Sequence, residues 1–228
     1  PMKKRYLYTF PLVSLLLLLI GHSFAVTGIS AAREDEAHNI QSIALMPFWL
    51  GKPEPGITLK DKSFVDCTLA ELCYLENDPL DKAADVLNQI TQLELKNRFH
   101  EKIVPFEKSE ATYIAMDKED TETLRSLAVR FGKKMNVDLV MAGTLWRYRE
   151  RQGTAYAAET PASVAFSLFL INVDNGKIYW EGTFNKTQPP LSENLLNAKL
   201  YFKEGLKWFT AREFASLGVK NLLKEIDF

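Results

Sequence analysis

Four consecutive pieces of sequence decide the fold: VDLVMAGTLWRY (Val137–Tyr148), ASVAFSLFLINV (Ala162–Val173), DNG (Asp174–Gly176) and KIYWEGTFNKT (Lys177–Thr187). The three longer pieces are rich in β-branched and aromatic residues, and each predicts a strand. Asp174-Asn175-Gly176 is a strong hairpin signal, so together they predict an antiparallel meander. Alternation in the last strand puts Ile178, Trp180, Gly182 and Phe184 on one face, expected under helices, and Tyr179, Glu181, Thr183 and Asn185 on the other. Ala162–Val173 is apolar on both faces. That suits either a central strand covered on both sides or one whose outer face, Phe169 included, meets a neighbouring subunit.

Working outward, Asn39–Leu50 carries the apolar run Ile43–Phe48 and predicts a central strand that stops at Pro47, where a ladder donor is missing. Asp78-Pro79 predicts the start of a helix with Ala83, Val86, Leu87, Ile90 and Leu93 on its apolar stripe. A short strand is expected over Lys102–Phe106. A second amphipathic helix is expected over Asp120–Met135 and a last one over Thr210–Ile226, opened by the Thr210/Glu213 capping box. The sum is an α/β (α+β) domain: a mixed sheet of about five strands with a C-terminal antiparallel meander, and amphipathic helices packed on it.

Pro1 stands ahead of Met2, which is read as the natural start. Lys3, Lys4 and Arg5 precede an uncharged run, Tyr6–Ala32, with a leucine-rich centre and small-residue exits at Ala25 and Ala31. This predicts a signal peptide over residues 1–32, or alternatively an uncleaved anchor through which the chain contacts the membrane. Either puts residues 33–228, of a length suited to one domain, outside the cytoplasm. The formal charge of −1 becomes more acidic without the leader, which argues against a nucleic-acid partner. Cys67 and Cys73 are the only cysteines. In an oxidising compartment they read as a disulfide or as two thiols, and make a poor zinc site without nearby histidine.

Ile43–Phe48, the short segment ending Val104-Pro105, Val137–Leu145 and the hairpin closing on Gly176–Trp180 resemble a superfamily of periplasmic α/β domains. It includes the curli-secretion protein CsgG, the N-terminal domain of TolB, the penicillin-binding-protein activator LpoB and the flagellar proteins FlgO and FlgT. The resemblance covers roughly residues 39 to 188. It implies an exported envelope protein that acts by binding and assembly, periplasmic and near the outer membrane, with an envelope protein or a cell-wall component as partner and self-association as a further expectation. Members commonly carry a lipidated cysteine; no cysteine stands directly after the apolar run here. No alternating hairpin pair of the kind that builds the curli pore is present outside the core strands, so the pore is not carried over.

Two sets of residues are candidate interaction surfaces. Arg147, Arg149 and Arg151 alternate along one strand end with Trp146, Tyr148 and Glu150, giving either a cationic patch for an acidic partner or peptidoglycan, or a solvated strand end. Tyr201, Phe202, Trp208 and Phe209, with interleaved lysines, give either an interface or a cap on the core. There is no nucleophile elbow, metalloprotease helix or phosphate-cradling loop, and no cofactor, metal or catalytic residue is assigned. The expectation is a non-enzymatic assembly, secretion-accessory or regulatory subunit; the alternative is an envelope hydrolase acting on cell-wall material, recognisable by titratable groups converging in a pocket.

Overall fold

In the computed structural model the described residues are 40–53, 64–68, 72–73, 80–188 and 207–227. The expected leader over residues 1–32, Asp78-Pro79, Tyr201 and Phe202 therefore lie outside them. The meander forms as expected: β5 (Leu139–Arg149), β8 (Ser163–Asn172) and β9 (Ile178–Thr187) pair antiparallel in sequence order. Its turn is wider than two residues. Asn172 N–H donates to the Lys177 carbonyl and accepts from Gly176 N–H through its own carbonyl, each at 2.9 Å, with Gly176 at φ 68°. The Asn172 side-chain carbonyl accepts from the N–H groups of Asp174 and Asn175, an Asx arrangement that rigidifies the corner.

β1 (Ile43–Leu45) and β2 (Trp49–Leu50) both run parallel to β5, either side of Pro47, as its missing N–H dictates. The resulting five-stranded mixed sheet has the order β1-β5-β8-β9, with β2 alongside β5. β1 is thus buried on both faces but not central. Beyond it lies a single parallel bridge, Ile43 to Ile103, with Val104 N–H donating to the Ile43 carbonyl at 3.0 Å. The expected strand Lys102–Phe106 shrinks to that bridge. His100–Lys102 is a 3-10 turn, and Pro105, lacking a ladder donor, precedes helix α2 (Phe106–Ile114), which the sequence reading missed.

Short pairs complete the strands: β3 (Lys52–Pro53) with β4 (Leu72–Cys73), and β6 (Gln152–Gly153) with β7 (Ala158–Thr160). Helix α1 spans Leu80–Phe99. Helix α3 spans Leu124–Met135; it starts later than expected because Thr123 and Ser126 form the capping box, and it ends on Asn136 in the left-handed region. Helix α4 spans Ala211–Leu223 and opens on the Thr210/Glu213 box as read from the sequence.

Helices cover both faces of the sheet. Leu124, Leu127, Ala128, Phe131 and Met135 of α3 pack on Ala44, Met46, Val140, Ala142, Phe169 and Ile171. On the opposite face an aromatic chain runs Phe48, Phe166, Phe184, Phe214 at centroid spacings of 6.3, 5.5 and 5.2 Å, joining the sheet to α4. Helix α1 lies against α4 and β5 there, and its buried Asn88 accepts Phe48 N–H at 3.0 Å. Phe169 is therefore core, 3% exposed, and its face is covered within the chain. Leu93, assigned to the apolar stripe of α1, is 58% exposed. Ile40–Asp227 forms one compact unit.

Two bulges change which face residues take. In β9, Ile171 pairs with Ile178 but Leu170 with Trp180, so Tyr179 is extra. Ile178 consequently packs on the α3 side while Trp180, Gly182 and Phe184 face α4, which splits the set expected to share one face. Trp180 is half-buried rather than fully buried.

Candidate interaction surface

The second bulge shapes the site. In β5, Leu145 pairs with Phe166 and Arg147 with Ala165, so Trp146 is extra and buried at 7% exposure. Without it, alternation would send Arg147 and Arg149 to the α1/α4 face with Leu145. With it they share the α3-side face with Ala165 and Ser163, at the end of the sheet that α3 does not reach.

That end is polar. Ser167 and Thr183 hydroxyls meet at 2.6 Å and those of Ser163 and Thr187 at 2.7 Å, two rungs across β8 and β9. Between them Arg147 Nη2 donates to Asn185 Oδ1 at 2.6 Å. Its Nε is buried and has no hydrogen-bond partner among the described residues. Burial, then the neighbouring Arg149, push the Arg147 guanidinium below its usual value. Arg149 is exposed; Arg151 is half-buried, with Nε and Nη1 unpartnered.

The acid nearest in sequence is engaged elsewhere. Both Glu150 carboxylate oxygens accept Ala211 N–H, at 3.0 and 3.1 Å, at the start of α4. That docking adds an anion to a helix N-terminus already closed by Thr210 and Glu213. Tyr148, on the α4 side, is pushed up to about 12 by burial and then by Glu150.

Beyond β5 the β6–β7 hairpin forms a stiff finger. Thr154 N–H donates to the Ala157 carbonyl at 3.0 Å, and Thr154 Oγ1 accepts from Ala157 and Tyr156 N–H at 3.0 and 3.4 Å. Gly153 sits at φ 96°, where a Cβ would strike the Ala157 carbonyl. Tyr156 stands at the tip, 81% exposed. Trp208 N–H donates to the Ala155 carbonyl at 2.7 Å, tying the finger to the segment that leads into α4.

Among the aromatic candidates, Phe209 leaves the surface: it is 2% exposed and stacks on Phe214 at 6.3 Å, a cap on the core. Trp208 is half-buried, and Tyr201 and Phe202 lie outside the described residues. Cys67 is buried in the α3-side core, whereas only the backbone of Cys73 is described. A groove of about 360 Å3 between α1 and α4 is lined by Ile90, Leu93, Leu217, Arg212 and Lys220. Its Glu213 is committed to the α4 cap and to Lys207 at 2.8 Å. Among the described residues no group of three or more His, Cys, Asp or Glu could hold a metal, and no helix is long and apolar enough to cross a membrane.

Sequence reasoning found the arginines but not the bulge that turns them, nor Tyr156. Gly153-Thr154 followed by an aromatic was the signal for a tight presented loop.

No protein-family model matches this sequence, and no curated protein matches it. Solved structures similar to it include the PelC dodecamer from Paraburkholderia phytofirmans, at 13% identity and TM-score 0.44, covering 80% of this chain and 84% of that one. The LpoB C-terminal domain from Salmonella enterica is similar at 13% identity and TM-score 0.35, covering 65% and 84%. Lipoprotein GNA1162 from Neisseria meningitidis is similar at 14% identity and TM-score 0.38, covering 72% and 96%.

Proposed function

We propose that this chain is a non-enzymatic exported protein of the cell envelope, an assembly, secretion-accessory or regulatory subunit that binds another envelope component in the periplasm near the outer membrane. The reading is carried by the sheet end where arginines without an ion pair among the described residues stand beside a rigid finger presenting Tyr156. Arginine and tyrosine on preorganised backbone are what binding surfaces favour, because little freedom is lost on contact. Of the carboxylates lining the α1/α4 groove, Glu213 is held by its helix cap and by Lys207. The signal-peptide reading of residues 1–32 and the resemblance to periplasmic α/β domains support that compartment.

The test is fractionation of cells producing the chain, with crosslinking before lysis. The expected result is recovery from the periplasmic or outer-membrane fraction in a crosslinked species heavier than the chain alone. A monomer confined to the cytosol overturns the reading.

A further inference from the structure

Arg147 and Arg149 alternate on one strand face, about 6.6 Å apart at the usual strand rise. Among the described residues neither makes an ion pair, so two like charges stand side by side without a counter-charge there. The structure spends effort to keep them there. The Trp146 bulge moves both onto the polar half-face, Asn185 fixes Arg147 Nη2, and Glu150 is drawn off to the N-terminus of α4. What remains is a buried, unused Nε on Arg147, an exposed guanidinium on Arg149, and exposed Thr183, Asn185 and Thr187 around them. The exposed guanidinium fork of Arg149 matches a carboxylate.

We propose that this half-face is the docking site for an extended acidic segment of a partner protein, whose alternate carboxylates seat on Arg147 and Arg149. The inference rests on the binding-subunit reading above and names the chemistry of its partner. An extended peptide repeats its side chains on one face with the same period as the strand that carries the arginines, which puts successive acids opposite successive guanidinia. The hydroxyl and amide groups of Thr183, Asn185 and Thr187 supply polar contacts along the flank. Carboxylates seated there offset the like-charge repulsion, which favours the complex.

The test is binding of labelled poly-L-glutamate to the full chain in detergent, followed by fluorescence anisotropy, with polygalacturonate as a carboxylate glycan competitor. Poly-L-glutamate is expected to bind, and polygalacturonate at equal carboxylate concentration is expected not to displace it. Arg149→Glu should weaken binding at least about tenfold, whereas Lys133→Glu, an equal charge change on exposed α3 surface, should leave it within about twofold. Absence of binding, equal losses in the two variants, or displacement by the glycan overturns the proposal. Arg149 is exposed, so its variant should melt with the wild type; if it does not, Arg149→Gln takes its place in the same comparison. Failure here leaves the compartment result standing, since fractionation does not depend on either arginine.

Discussion

Gln188 accepts the backbone N–H of Phe209 through Oε1 at 2.8 Å, and both residues are buried. Its Nε2 donates to the Lys207 carbonyl at 3.0 Å, while its own N–H donates to the Ala162 carbonyl at 3.0 Å. One amide side chain thereby does for residues 207–209 what a neighbouring strand would do, and fixes where α4 begins. Gln188→Ala leaves a buried donor and acceptor unpaired and should lower stability by about 2–4 kcal/mol. Urea denaturation read by tryptophan fluorescence measures it; a loss within error would show that α4 is positioned without this clamp.

Phe169 and Trp180 separate the two accounts of the sheet faces. Phe169→Ala empties a fully covered site and should cost about 3–5 kcal/mol without changing the oligomeric state. Trp180→Ala, from a half-buried site, should cost less than Phe169→Ala. Denaturation and sedimentation on the same two variants check the ranking.

Gly132 lies inside α3, where alanine would ordinarily gain about 1 kcal/mol of helix propensity. A Cβ there would overlap the methyls of Val173 and Val140, which are stiff, β-branched and held in the core. Overpacking should win, so Gly132→Ala should melt below wild type by an amount corresponding to about 1–2 kcal/mol. A higher melting temperature would mean that α3 can lift off the sheet at no cost.

Burial raises the Glu213 carboxyl, but Lys207 and Thr210 outweigh it and leave it below its usual value. A carboxyl depressed in the folded state contributes stability that is present above the ordinary glutamate range and is lost as pH falls through the lower folded value. Glu213→Gln should therefore narrow its stability gap to wild type as the pH is lowered through that range. A gap independent of pH would assign the effect to packing of the cap instead of to charge.

Tyr156→Ala removes an exposed ring from a finger whose shape is set by Thr154 and Gly153. The melting temperature should stay unchanged while recovery of the crosslinked envelope species drops. Unchanged recovery would take the finger out of the binding surface.

The meander was legible because its strands are long, apolar and joined by a turn with its own chemistry, and the α4 capping box was legible because it is local. Lys102–Phe106 misled because apolar residues before a proline read equally as a strand end or as the approach to a helix, and only the isolated Ile43–Ile103 bridge decides between them. The bulges at Trp146 and Tyr179 left no mark in the alternation pattern, since each extra residue is aromatic and fits either face. Their effect is large: they determine where the arginines and Ile178 point. The α2 helix was missed because its sequence, FEKSEATYI, has too short an apolar stripe to declare itself.

The parallel pairing of β1 with β5 bears on how the chain folds. Ser42 and Asp138, whose hydrogen bonds at 2.9 and 3.0 Å lock the start of that pairing, are 96 residues apart. The β8–β9 hairpin closes over a handful of residues, so the meander can form early and locally, whereas β1 must wait for a long loop to close. A chain made from its N-terminus carries Ile43–Phe48 without its partner strand until Leu139–Leu145 has been synthesised. During that interval the run is an apolar segment without its partner strand, the kind a chaperone holds.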